Sequence, residues 1–457
     1  MASEAALSGK YKPYPEYKDS VADWVEAIPT HWEISKLRYM FTFSKGLTIT
    51  KENLADEGVP CVNYGEVHSK YGFEVDPTIH PLKCVSEDYL KSSPNALLSQ
   101  GDLVFADTSE DIEGSGNFTQ LASKRPVFAG YHTIIARPND KQCSRFYAYV
   151  LDSQELRTQI RHAVKGVKVF SITQAILRGV DIWLPTLEER KKIASFLDHE
   201  TAKIDTLIDK QQQLITLLKE KRQAVISHAV TKGLNPKAPM RDSGVEWLGE
   251  VPAHWEVLCL SRVGKVGQGC SFSHSIQGQE AGELPWFKCM DMNSAGNEEI
   301  MNLAANYVDY DLAENIGAPI FPAGTVVFPR VGAALLTNKR RILSRSSVVD
   351  DNIYTFSPSK IHSRFAYMFL QLIDMASLCS PGLVPTITFG AINNIRLTMP
   401  SLSEQQKIVD YVDSQTIKME ALVQKAEFAI SLMRERRTAL ISAAVTGKVD
   451  VRHWQKA

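Results

Sequence analysis

Two stretches of the chain carry an unbroken helical rhythm of apolar positions. Leu197, Ile204, Leu218 and Val225 share one position of a seven-residue repeat, and Ile208, Ile215 and Ala229 share the position four residues on. Such spacing is that of a coiled-coil seam, in which a single stripe keeps facing a partner. Val412, Met419, Met433 and Leu440, with Val423, Ile430 and Ala444, repeat it later in the chain. Thr186-x-x-Glu189 and Ser401-x-x-Glu404 each follow a proline and precede the periodic run, so each reads as a capping box that satisfies free amides at a helix start. No proline interrupts either run, and Gly233 and Gly447 stand where a helix would end. Helices of this length, about 70 Å at roughly 1.5 Å per residue, cannot bury their stripes alone. The pattern therefore predicts that Leu197, Ile204, Ile208, Ile215 and Leu218 pair with Val412, Met419, Val423, Ile430 and Met433, antiparallel because the chain must travel out along one helix and back along the other. Thr201, Gln211, Arg222, Thr416 and Arg437 interrupt the seam; they set its register, meet a third partner, or are simply solvated.

Between the helices the periodicity is short and β-like, as in Leu103-Val104-Phe105, His132 to Ala136 and Thr325 to Phe328, with Gly, Pro, Asn and Asp in between. Ser144 to Leu151 and Ser363 to Leu370 look like matched amphipathic helices whose aromatics belong to a core. The expected fold class is mixed α/β, with two globular domains separated by two long antiparallel coiled-coil helices. Its divisions are an N-terminal segment (1–23), a first globular domain (24–185), a central helix (186–235), a second globular domain (236–399) and a closing helix with its tail (400–457).

That symmetry is written in the residues. Lys18-Asp19-Ser20, Trp24 and Ile28-Pro29-Thr30-His31-Trp32-Glu33-Ile34 recur 223 positions later as Arg241-Asp242-Ser243, Trp247 and Val251-Pro252-Ala253-His254-Trp255-Glu256-Val257. The block from Pro185 to Thr231 recurs 215 positions later, from Pro400 to Thr446. Between the blocks only short echoes survive, Gly101 to Phe105 with Gly324 to Phe328 and Ser171-Ile172-Thr173 with Thr386-Ile387-Thr388. A shared frame with divergent interiors is what two modules show when one scaffold carries surfaces for different ligands.

Composition adds mostly exclusions. Lys and Arg number 51 against 52 Asp and Glu, so any affinity for a polyanion has to be local. No apolar run is long enough to span a bilayer and the first residues lack a signal-peptide stretch, so the expected location is cytoplasmic, away from membranes. Seven cysteines, scattered with no CxxC pair, argue against a disulfide framework or a thiolate zinc site. No Walker loop, GxGxxG or HExxH is present, nor an Asn-Pro-Pro or Asp-Pro-Pro tetrapeptide for amino methyl transfer. His31 and His254, beside Trp and Pro, read as packing and turn residues. Basic clusters are the remaining signal: Arg330 and Lys339-Arg340-Arg341 in the second copy, with Lys124-Arg125, Lys165 and Lys168 as weaker counterparts in the first. Such runs are either solvated faces or candidate nucleic-acid contacts, arginine being suited to guanine edges and lysine to phosphates.

The repeated Pro-x-His-Trp-Glu, the Pro-led helices opening on Glu189 and Glu404, and the run from Arg436 to Asp450 resemble the specificity subunits of type I restriction-modification systems (HsdS). The resemblance covers nearly the whole chain, including its duplicated order. It implies two target recognition domains, each reading half of a split double-stranded DNA target, with the helices setting the spacer. It also implies methyltransferase subunits (HsdM, two copies) that dock on the helices and an ATP-dependent restriction subunit (HsdR). S-adenosylmethionine, ATP and Mg belong to those partners, leaving this chain non-catalytic, without cofactor or metal. One departure is that Arg190-Lys191 and Gln405-Gln406 differ at matched places. The competing reading is a coiled-coil adaptor with two protein-binding heads and no affinity for DNA.

Overall fold

The computed structural model describes residues 11–20, 24–166, 169–271, 276–380 and 382–456. They form two compact units: one holds residues up to 212 together with 427 onward, the other holds 213–426. Each unit is thus a globular domain plus half of each long helix. The helices run Leu187–Lys232 and Leu402–Val445.

In the first unit a five-stranded mixed sheet has the spatial order Phe41–Lys45, Thr133–Pro138, Leu103–Ala106, Phe118–Leu121, Glu74–Val75. A four-stranded sheet, Cys84–Val85, Val59–Val62, Val127–Ala129, Leu97–Leu98, packs with it. Leu103–Ala106 and Phe118–Leu121 are buried at every position, which is why they read as continuous rather than alternating runs. The second unit repeats the five-strand order with Gly264–Gln268, Ile353–Pro358, Val326–Pro329, Arg341–Leu343 and Ile300–Met301. Its smaller sheet has three strands, Asn306–Val308, Leu284–Phe287 and Val348–Val349. The helices Ser144–Asp152 and Ser363–Leu370 bury Phe146, Tyr147 and Tyr149, and Phe365, Tyr367 and Phe369, as their periodicity predicts.

The two repeated sequence blocks, far apart in the chain, meet in space. In each copy the Trp N–H closes a turn onto the proline carbonyl, Trp32 to Pro29 and Trp255 to Pro252, both at 2.9 Å. The strand that follows, Glu33–Lys36 or Glu256–Cys259, then pairs antiparallel with Asp181–Leu184 or Arg396–Met399, the strand leading directly into the long helix. Thr173 and Thr388 cap the short helices before those strands, accepting from the Ile176 and Ala391 amides at 3.2 Å. Each block is half of one scaffold, and the divergent interior is the domain inserted between the halves.

The chain ends join in the first unit. The Asp450 amide donates to the Lys12 carbonyl at 2.8 Å, Tyr17 Oη donates to the Gly447 carbonyl at 2.9 Å, and Arg452 lies over the Tyr14 ring. Residues 11–20 therefore follow the second helix in space as Lys237 to Ser243 follow the first in sequence.

The copies differ most after their matched amphipathic helices. The first unit continues into a ten-residue helix, Gln154–Ala163. The second has a 3₁₀ turn, Met375–Leu378, and a hairpin of Cys379–Ser380 with Thr386–Ile387.

Candidate nucleic-acid interface

The repeated histidines work at the helix starts. His31 Nε2 lies 2.9 Å from Glu189 Oε1, and His254 Nε2 lies 3.1 Å from Glu404 Oε2. Glu189 also accepts from the Thr186 amide at 3.2 Å and hydroxyl at 3.0 Å, while the Thr186 hydroxyl accepts from the Glu189 amide at 3.4 Å, completing the capping box. Burial pushes the Glu189 pKa up, but the His31 and Thr186 hydrogen bonds outweigh it and hold the carboxyl below its usual range. At the second start the Glu404 amide donates to Ser401 Oγ at 3.2 Å. The turn reading of His31 and His254 stands, with a partner the sequence reading did not name: the capping glutamate.

A matched arginine ties each globular domain to its helix. Arg145 reaches Asp198 at 2.7 Å and Glu74 at 2.6 Å; Arg364 reaches Asp413 at 2.7 Å and also pairs with Glu299. The two helical aspartates are 215 positions apart, so the fork is part of the repeat. A planar guanidinium with several fixed donors can hold two carboxylates at once.

The seam is antiparallel in both units, and its polar residues set register. Arg437 Nε meets Asp205 at 3.1 Å, and Arg222 Nη1 meets Glu420 at 3.3 Å. Asp205 with Glu420, and Arg222 with Arg437, are equivalent positions, so one bond is made twice. Arg437 adds Asp152 at 3.5 Å and the Phe73 ring. Of the expected pairing residues, Leu197, Ile204, Ile208, Leu218, Val412, Met419 and Ile430 are buried, whereas Ile215, Val423 and Met433 are half-buried. Ile193, Phe196, Ile408 and Val409 are buried as well: Ile408 and Val409 join the core of the second unit, while the Phe196 ring packs edge-on against Tyr11 and Trp454, contacts no heptad count could show.

The basic candidates fall into two groups. Lys165 is exposed and bridges Ser171, which pairs with Thr108. Ile172 and Thr173, just beyond, line a groove of about 630 Å³ together with Lys45, Thr48, His132 and Gln174. Arg330 occupies the corresponding place in the second unit, where Val331 bridges Thr386. Its Nε donates to the Asp351 carbonyl at 2.7 Å and its guanidinium lies over Tyr354. Lys168 lies outside the described residues.

The other group faces the long helices. Lys124 and Arg125 are exposed, and Lys124 lines a groove with Glu74, Arg145 and Asp198. Lys339, Arg340 and Arg341 line a cleft of about 820 Å³ with Lys219, Arg222 and Glu420. Lys339, Arg340 and Arg341 each have partners inside the protein. Arg340 is only 2% exposed and its guanidinium is held by the Asn338 and Ile373 carbonyls, while burial pulls its pKa down to about 10. Arg341 donates to the Met292 and Arg340 carbonyls at 2.8 and 2.7 Å and to the Asn297 carbonyl, and Lys339 holds Asn293. Arg340 and Arg341 thus bond backbone carbonyls and fix the loop they stand on. The groove beside Lys165 also brings in Lys45, His132 and Gln174, which the sequence reading did not name. A signal existed for the first: Lys45-Gly46 recurs 223 positions later as Gln268-Gly269, with both glycines close against backbone carbonyls.

Among the described residues no group of three or more His, Cys, Asp or Glu could hold a metal ion, and no helix is long and apolar enough to cross a membrane. The cysteines are all unpaired.

Comparison with known proteins fits this architecture. A putative type I restriction enzyme MjaX specificity subunit of Methanocaldococcus jannaschii is 23% identical over 447 residues, 93% of this chain and 95% of its own. The StySPI specificity subunit of Salmonella potsdam is 24% identical over 94% of this chain and 91% of its own. The EcoKI specificity subunit of Escherichia coli is 26% identical over 46% of this chain and 45% of its own. Among solved structures, a chain from a study of complex assembly and conformational transition of the type I R-M system superposes with a TM-score of 0.69 at 15% identity, covering 92% of this chain and 99% of that one. The HsdS subunit from Thermoanaerobacter tengcongensis gives 0.50 at 14% identity, over 92% and 98%. The sequence model of the type I restriction modification DNA specificity domain matches twice, at residues 29–217 and 252–426, each match taking in one repeated scaffold and the domain inserted in it. With its duplicated frame, its paired helices and both matches, the chain belongs to the type I restriction-modification specificity subunits.

Proposed function

We propose that each globular domain reads one half of a bipartite double-stranded DNA target, while the paired helices set the distance between the halves. The observation that carries this reading is the duplicated frame around divergent interiors: scaffold, clamp and seam repeat, whereas the loops around Lys165 and Arg330 do not. Lys45, Lys165, Lys168 and His132 serve the first half-site and Arg330 the second. Lys124, Arg125 and Lys339 act as sequence-blind phosphate contacts. The chain itself performs no catalysis and binds neither S-adenosylmethionine, ATP nor Mg, which partner subunits hold.

The helices also offer docking for two methyltransferase subunits. Leu207 and Leu422 are equivalent and 47% and 49% exposed; Leu217 and Leu432 are equivalent and 60% and 47% exposed. Each unit thus carries one leucine of each kind on solvent-facing helix surface, a pattern that supports one protein partner per unit. A restriction subunit completes the complex.

The decisive experiment lengthens the seam without touching either domain. Four residues inserted within Lys210–Gln213, matched by four within Lys425–Phe428, keep Asp205 opposite Arg437 and Glu420 opposite Arg222. They add about 6 Å, or one to two base pairs at roughly 3.4 Å each. Methylated adenines mapped genome-wide in cells that also express the methyltransferase should show unchanged half-sites with a longer gap between them. An unchanged gap refutes the spacing role, and altered half-site bases refute confinement of reading to the domains.

A further inference from the structure

The second unit has an apolar groove that the first unit fills with its own chain. It measures about 550 Å³ and is lined by Trp247, Ile373, Leu378, Ala391, Ile395 and Arg396, among others. Trp247 is 49% exposed. Four of these residues have partners in the repeat: Trp247 corresponds to Trp24, Ala391 to Ile176, Ile395 to Val180 and Arg396 to Asp181.

In the first unit the helix Gln154–Ala163 lies against this region. Its His162 ring lies 5.0 Å from Trp24, it packs against the short helix Gln174–Gly179 that carries Ile176, and it buries Leu156 and Ile160. Its Gln159 makes a two-bond bridge to the edge of the scaffold strand, donating to the Asp181 carbonyl at 3.2 Å and accepting from the Asp181 amide at 2.9 Å. The second unit has no such helix, only the shorter Met375–Leu378 turn. Trp247 packs against Phe369 instead, and no described side chain bonds the Arg396 amide or carbonyl. Alanine in place of isoleucine at 391 widens the opening. An apolar floor beside an open backbone donor and acceptor is the imprint of an absent amphipathic helix.

We propose that this groove receives an amphipathic helical segment of another protein, one carrying aliphatic residues four apart and a glutamine beside the second, the Leu-x-x-Gln-Ile pattern of Leu156 to Ile160. The occupant is not the corresponding helix of a second copy of this chain, because that helix is already docked in its own first unit and would have to unfold from it. The inference stands on the comparison of the two copies and does not depend on how DNA is read.

The test uses the full chain and a blocked, fluorescein-labelled peptide of residues 153–164 as the probe, followed by anisotropy and by Trp247-sensitive emission. Saturable binding is expected, weakened about fivefold or more when the peptide carries Gln159→Ala, as loss of a paired hydrogen bond implies. Ala391→Arg in the chain should abolish it, with Trp247→Ala as the second variant should the first melt abnormally. No saturation by millimolar peptide overturns the proposal, as does binding indifferent to both the peptide and the chain substitutions. Sedimentation gives the remaining outcome: a chain that dimerises by itself, and ceases to with Ala391→Arg, would assign the groove to a second copy and overturn the proposal.

Discussion

Alanine at the two helix-ending glycines should cost unequal amounts, although the positions are equivalent. Gly233 has φ 75° and Gly447 has φ 80°, the left-handed conformation that ends each helix. An L side chain there costs about 1 to 2 kcal/mol, of which lower unfolded-state entropy returns about half. The surroundings then separate the two. A Cβ on Gly233 would stand 3.0 Å from Trp255 Cζ2, a gap that a slight ring tilt restores. A Cβ on Gly447 would stand 2.4 Å from Pro29 Cδ and 2.6 Å from its Cγ, and a proline ring moves only with its backbone. Overpacking of that kind adds about 1 to 3 kcal/mol. Gly233→Ala should therefore cost about 1 kcal/mol and Gly447→Ala about 2 to 4. For a unit of this size each kcal/mol lowers Tm by roughly 2 to 4 °C, giving shifts of about 2 to 4 °C against about 4 to 16 °C. Calorimetry gives the shifts, and hydrogen exchange should localise the larger one to residues 11–36 and 440–454. Equal shifts, or a larger one for Gly233→Ala, would refute the account of Gly447 as the point where the chain's two ends lock.

Further expectations follow from the polar contacts. Arg437→Ala removes two carboxylate contacts and the Phe73 ring and should destabilise by about 1 to 2 kcal/mol, whereas Arg222→Ala, with one half-exposed partner, should cost under about 1 kcal/mol; urea titrations of both variants decide. Because the Glu189 pKa is depressed on folding, the stability it contributes is present above the ordinary carboxyl pKa and is lost as pH falls through the folded value. Tm measured from about pH 5 down to pH 3 should thus fall less steeply for Glu189→Gln than for the parent. Arg330→Ala should weaken DNA binding by the assembled complex and relax the second half-site alone, while Arg340→Ala should lower stability without changing the bases read; methylation mapping beside a thermal melt separates the two. Leu207→Asp with Leu432→Asp should release methyltransferase subunit from the first unit in gel filtration while leaving the helical circular dichroism intact.

Much of the fold was legible because it is repetitive. Heptads, capping boxes and terminal glycines are local signals, and duplication printed each of them twice. The equivalence of Arg222 with Arg437 could be read too, but their opposite numbers could not, since Asp205 and Glu420 differ in type and sit off the apolar stripe. The partners of the basic residues were hidden for a related reason. A cluster such as Lys339-Arg340-Arg341 states charge, not which carbonyls lie within reach, and Arg340 and Arg341 found theirs inside the protein. The apolar groove was illegible because it consists of something missing, visible only when Gln154–Ala163 of one copy is set beside its gap in the other.

The doubled arginine contact has an evolutionary corollary. Asp205 binds Arg437, and Glu420 binds Arg222, yet each acid and each arginine has its equivalent in the other repeat. A gene shortened to a single repeat would still encode one acid and one base at complementary heights. Two copies of that product could rebuild both bonds by exchange, Asp205 of each meeting Arg222 of its twin. Such a homodimer would carry identical reading heads and so demand a palindrome in place of two unlike half-sites. On the proposed reading, fusion of two such genes followed by divergence of the inserted domains would convert a reader of symmetric DNA into a reader of asymmetric DNA while keeping the paired acid and arginine of the frame.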